Sequence, residues 1–183
     1  MQNNLYIEDS NQTRLFYRFT PAAITSNFVP LVVILDDEKM AGDIYFEYKM
    51  WNILTPTLRL DNKEDFAFEN LLQKLIHQIA EDYECEEHIY LYGSSSRGYE
   101  AILQGILCKV NAVFAHTDDI KIAQISNLSN LLNATDSFPI FYLCGNEIEK
   151  FTDACKKHSI KFHLDFCPQA KEEVLDMFER MTS

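Results

Sequence analysis

Residues His88–Gly105 read HIYLYGSSSRGYEAILQG. Ile89–Tyr92 is a short apolar run, Gly93–Gly98 is rich in glycine and serine, and Tyr99, Ile102, Leu103, Ile106 and Leu107 recur at helical spacing. The spacing predicts a buried strand, a sharp turn and a helix that leaves the turn at once. A turn of this kind can lift a serine side chain clear of a sheet and aim it at a substrate.

On either side the same alternation continues. Upstream, Phe68, Leu71, Leu72, Leu75, Ile76, Ile79 and Tyr83 mark an amphipathic helix, with Asp61 and Glu64 spaced as an N-cap and its capping-box partner. Thr57–Leu60 reads as a short strand before it. Downstream come a strand at Asn111–Ala115, a helix at Ile120–Leu132, a strand at Pro139–Cys144, a helix at Glu149–His158 and a strand at Lys161–Phe166. A last helix carries Val174, Leu175, Phe178 and Met181. Near the N-terminus Arg14–Phe19 alternates as an edge strand does, and Val29–Leu35 is a continuous apolar run of the kind covered on both faces in a parallel sheet. Ala41–Asn52 carries Tyr45, Phe46, Tyr48 and Trp51 without clean periodicity and reads as a loop or short helix.

Repeated strand–helix units predict a single α/β domain over residues 1–183, with a mainly parallel sheet and helices on both faces. Right-handed crossovers then bring the strand C-terminal ends to one rim, where open α/β sheets bind ligands. The residues that follow the strands are therefore the ones that matter: Asp36 and Asp37, Gly93–Gly98, His116–Asp119, Gly145–Glu149 and Cys167–Lys171.

Composition narrows the classes. Hydrophobic residues make up 47% of the 183 and aromatics 13%, so a packed core is expected. Sixteen basic against 28 acidic residues give a net charge of −12, which argues against a phosphate-backbone binder and so against a nucleic-acid partner. No apolar run approaches the roughly 18–20 residues of a membrane span, and MQNNLYIEDSNQTRLF lacks the basic and apolar regions of a signal peptide. The five cysteines are odd in number and include no CxxC pair, so neither a metal cage nor a disulfide framework is expected, and the cytoplasm is the default location. Gly93–Gly98 has the glycine spacing of a P-loop, but no Lys-Ser or Lys-Thr follows Gly98. No cofactor is implied.

Gly93-Ser94-Ser95-Ser96-Arg97-Gly98-Tyr99 resembles the nucleophile elbow of the α/β-hydrolases. It looks closest to the G-S-S-x-G-G-Y form of small esterase-like proteins, including some associated with capsule synthesis and accessory secretion. The resemblance implies a three-layer α/β-hydrolase-like domain, here without room for a large lid. It implies Ser95 as nucleophile, the Ser96 backbone N–H as one oxyanion donor, and the loop near Asp36 as the other. Glycine is wanted two residues before and two after the serine, where side chains collide with the next strand and helix. Gly93 meets this demand and Arg97 does not; a register with Ser96 as nucleophile would place Gly98 correctly.

The family's acid follows a late strand, which points to Glu147, with Glu149 in reserve. Its histidine follows the last strand, but Cys167–Glu173 contains none. His77 and His88 read as solvent-facing and His158 and His163 as structural, which leaves His116 as the base, with Asp118 or Asp119 near enough in sequence to orient it. Two functions follow: a serine hydrolase or acyltransferase acting on a small ester such as an acylated sugar, or a hydrolase-like scaffold without a complete triad that binds a protein partner in a polysaccharide or secretion pathway. A ligand pocket on the rim without chemistry is a third.

Overall fold

A computed structural model describes residues 5–24, 26–35, 50–57, 66–145 and 148–164, with Ser95 by its backbone alone. Its centre is an eight-stranded sheet in the order β1-β2-β4-β3-β5-β6-β7-β8. The strands are β1 (Leu5–Glu8), β2 (Arg14–Thr20), β3 (Leu31–Leu35), β4 (Asn52–Pro56), β5 (Ile89–Gly93), β6 (Ala112–His116), β7 (Ile140–Cys144) and β8 (Phe162–His163). β2 runs antiparallel to both its neighbours, and every pair from β4 to β8 is parallel. Among the described residues, four helices follow the parallel strands: α1 (Phe66–Asp82), α2 (Gly98–Leu107), α3 (Ile122–Asn133) and α4 (Glu149–Lys157).

Period-two alternation divides the central strands between two cores. Leu31, Val33 and Leu35 of β3, Ile89 and Leu91 of β5, Val113 and Ala115 of β6, and Phe141 and Leu143 of β7 form one cluster with the buried stripes of all four helices. Val32, Ile34, Tyr90, Tyr92, Ala112 and Phe114 point the other way and pack with Trp51 and Ile53. All of β3 and β5 is buried on both faces, as the continuous apolar runs predict. Each fully buried Leu, Ile or Phe contributes roughly 1.5–3 kcal/mol relative to exposure.

Two expectations need correction. Arg14–Phe19 is not an edge strand: Leu5–Glu8 pairs antiparallel outside it, register Leu5↔Tyr17 to Glu8↔Arg14, and Arg14 forms an ion pair with Glu8. The loop or short helix expected over Ala41–Asn52 gives way at Asn52 to β4; of the strand expected at Thr57–Leu60, Thr57 follows the end of β4 and 58–60 fall outside the described residues. Pro56 lacks an N–H, which weighs against a strand reading, but it is the terminal residue, opposite Tyr17. The Asp61–Glu64 cap, most of the Tyr45–Trp51 cluster and the last helix lie outside the described residues. Among the described residues no helix is long and apolar enough to cross a membrane.

Cys144 also departs from the expectation of free thiols, for it is disulfide-bonded; an odd cysteine count excludes a fully paired set but not a single bridge. Cys85, Cys108 and Cys155 are free and buried. Burial pushes their thiols up from an ordinary value near 9, Cys85 to about 11 against the opposing hydrogen bond from Asn52, Cys108 and Cys155 to about 12. Folding thus favours the protonated thiols. Their contribution to stability is complete below about pH 9 and is lost as pH rises through 11 and 12. Thermal unfolding is expected at a constant midpoint from neutral pH to about 9 and at falling midpoints above it, with a shallower fall in Cys108→Ala; equal slopes would contradict this account.

A candidate serine-turn site

β5 ends at Gly93, and the Ser94 N–H still donates to Leu35 O of β3 (3.2 Å). The chain then reverses. The Arg97 N–H donates to Ser94 O at 2.7 Å, which puts Ser95 and Ser96 at the two central positions of the turn. Ser95–Arg97 is one turn of 3-10 helix, and α2 starts at Gly98.

Two glycines let this turn form. A Cβ on Gly93 would lie 2.5 Å from both Arg97 O and the Ala101 Cβ. One on Gly98 would lie 1.6 Å from His116 O and 2.8 Å from its carbonyl carbon. The first residue of α2 is therefore in direct contact with the last peptide of β6. The close approach to β6 falls at Gly98, one residue after Arg97. The Arg97 side chain itself is 2% exposed, and its Nη1 lies 3.4 Å from Glu100 Oε1.

His116 is half-buried at the C-terminal end of β6, beside β5. Its ring faces that of Tyr92 edge-on, at 6.2 Å and 83°. Past it, Thr117 joins β6 to β7, with its N–H (2.8 Å) and its hydroxyl (3.0 Å) both donating to Cys144 O. Gly145 has a φ of +126°, and a Cβ there would meet Asp118 Oδ1 at 2.6 Å and Thr117 Oγ1 at 2.7 Å. The loops after β6 and β7 thus lie against each other, with the Asp118 carboxylate at their junction. Tyr99, after Gly98, accepts a hydrogen bond from Asn127 Nδ2 of α3 (2.8 Å), which anchors the helix behind the turn.

Of the predicted site residues, the structure brings the Ser95–Ser96 turn and His116 to one rim. Asp36, Glu147 and Cys167 lie outside the described residues. Glu149 is the first residue of α4, where a carboxylate favours the positive end of the helix dipole. The other histidines have local surroundings: His158 Nε2 lies 2.8 Å from Asn133 Oδ1, His163 stacks on Tyr142 at 4.7 Å, His77 is exposed, and His88 is half-buried 6.4 Å from Phe28. Among the described residues no group of three or more His, Cys, Asp or Glu is arranged to hold a metal. The contact between Gly98 and the His116 peptide was not foreseen from sequence; the displaced glycine after Arg97 was its one visible sign.

The overall fold recurs in solved structures. Est1E from Butyrivibrio proteoclasticus superposes with a TM-score of 0.65 at 10% identity, over 98% of this chain and 96% of that one. An α/β serine hydrolase homologue from Coxiella burnetii gives 0.61 at 10% identity, over 99% and 96%. The chain has the α/β-hydrolase fold. Brefeldin A esterase, described as a bacterial homologue of human hormone sensitive lipase, gives a TM-score of 0.57 at 11% identity over 88% of this chain, which spans 66% of the esterase. No protein-family profile and no curated protein matches the sequence.

Proposed function

We propose that this α/β-hydrolase-fold chain is a serine hydrolase acting on a small ester, with Ser95 as nucleophile and His116 as base. The observation that carries the reading is the contact of Gly98 with His116 O, which ties the helix leaving the serine turn to the peptide of the rim histidine. The esterases among the structural neighbours support it at the level of fold.

In this reading Ser95 Oγ attacks the ester carbonyl while its proton passes to His116, and the carbonyl π electrons move onto oxygen. The Ser96 N–H and an amide near Asp36 stabilise that oxyanion. Collapse of the intermediate breaks the C–O bond, and His116 returns the proton to the departing alcohol. Water, deprotonated by the same histidine, then releases the acid; transfer to a second alcohol instead would make the protein an acyltransferase. Glu147 supplies the negative charge that orients the imidazolium. An acylated carbohydrate is the substrate that the sequence resemblance suggests.

Hydrolysis of short-chain p-nitrophenyl esters tests this, with acetylated sugars as a second set. The expected result is turnover that falls at least about 10³-fold in Ser95→Ala. No turnover with either set would favour the second reading, a binding scaffold with a protein partner. The observation favouring that reading is Arg97, a buried arginine where the family's elbow has glycine.

A further inference from the structure

At the opposite end of the sheet from the serine turn, a cavity of about 520 Å³ opens between the start of β6 and the approach to β7. Its walls include Tyr90, Val110, Phe138 and Ile140, with polar groups from Lys109, Asn111 and Ser137. Such a volume, lined in about equal measure by polar and apolar surface, suits a small amphipathic ligand.

The cavity is preformed by backbone chemistry. Lys109 leaves α2 with a φ of 53°, and its N–H and that of Val110 donate to Ile106 O (3.3 Å) and Gly105 O (3.1 Å). Asn111, which also lines the cavity, uses both ends of its amide: Oδ1 accepts from the Ile89 N–H (2.7 Å), and Nδ2 donates to Glu87 O (2.8 Å). Its carbonyl accepts from the Ile140 N–H at 3.0 Å, which fixes the second wall to the first. Burial raises the Tyr90 hydroxyl above its ordinary value, so that wall stays neutral at physiological pH.

One group is left to choose the ligand's charge. The Lys109 ammonium lies 3.4 Å from Asp136 Oδ1, but the two side chains are 58% and 92% exposed, and a pair so wet is held weakly. A ligand carboxylate held next to apolar walls competes with it readily.

We propose that this cavity binds a small planar aromatic carboxylate, its ring between Tyr90, Phe138 and Ile140 and its carboxylate on Lys109. The site is independent of the serine turn and does not require that the protein be an enzyme.

The test is titration of the isotope-labelled full chain with 2-naphthoate, followed by amide chemical shifts. 2-Naphthylmethanol serves as the uncharged analogue. Saturable shifts are expected at Lys109, Val110, Asn111, Ser137 and Phe138, with affinity about fivefold or more weaker for the alcohol and for naphthoate binding to Lys109→Asn. Asparagine tolerates positive φ, so that variant removes the ammonium without straining the turn. Absence of saturable shifts at these amides, shifts confined to the strand-end rim, or equal affinity of acid and alcohol would overturn the proposal.

Discussion

Replacing Gly98 by alanine is expected to cost at least about 3 kcal/mol of folding stability, more than the same change at either neighbouring glycine. The new methyl group would lie 1.6 Å from His116 O and 2.8 Å from its carbonyl carbon. Both are backbone atoms of a strand hydrogen-bonded on both sides, to β5 and to β7. No rotamer can relieve such an overlap; either α2 or β6 has to move. Gly105 is the internal comparison. A Cβ there meets Val113 Cγ2 at 2.1 Å, but that is a side-chain methyl, so Gly105→Ala should cost about 1–3 kcal/mol. Gly93 is intermediate, since its Cβ would meet one backbone and one side-chain atom at 2.5 Å. Urea denaturation of the three variants checks the order. A Gly98→Ala protein as stable as Gly105→Ala would mean that the helix and the histidine strand are not in the contact described.

The second large effect concerns chemistry. Ser95→Ala and His116→Ala should each remove most of the ester turnover, and the double variant should lose little more than either alone, because residues that act as one unit are strongly non-additive. Ser96→Ala keeps the backbone N–H proposed as an oxyanion donor and should retain turnover. If instead Ser96→Ala abolishes it while Ser95→Ala does not, the nucleophile is one residue later, in the register that places Gly98 two residues after the serine. If His116→Ala is silent, some other group deprotonates the serine.

How much of this was legible depends on where the information lay. β3 and β5 could be read because they are covered on both faces, and such strands advertise themselves as unbroken apolar runs. α1 could be read because its buried stripe, Leu71 to Ile79, repeats for more than two turns. β1 could not, since four residues with one partner strand carry too short a pattern. β4 was obscured by its terminal proline and by the aromatic stretch before it. At the serine turn, the sequence showed a glycine one place late and no more. The displacement made sense only once the helix start was seen against the His116 peptide, a contact between residues 18 positions apart that no local pattern encodes. The bridge at Cys144 was hidden for a similar reason: spacing along the chain does not report proximity across it.

The most direct measurement is fluorophosphonate labelling of the folded protein, followed by tryptic mapping. The expected result is a single adduct on the peptide that ends at Arg97, lost in Ser95→Ala and retained in Ser96→Ala. No adduct on folded protein, beside a control hydrolase that labels under the same conditions, would contradict the hydrolase reading and leave the binding scaffold in its place.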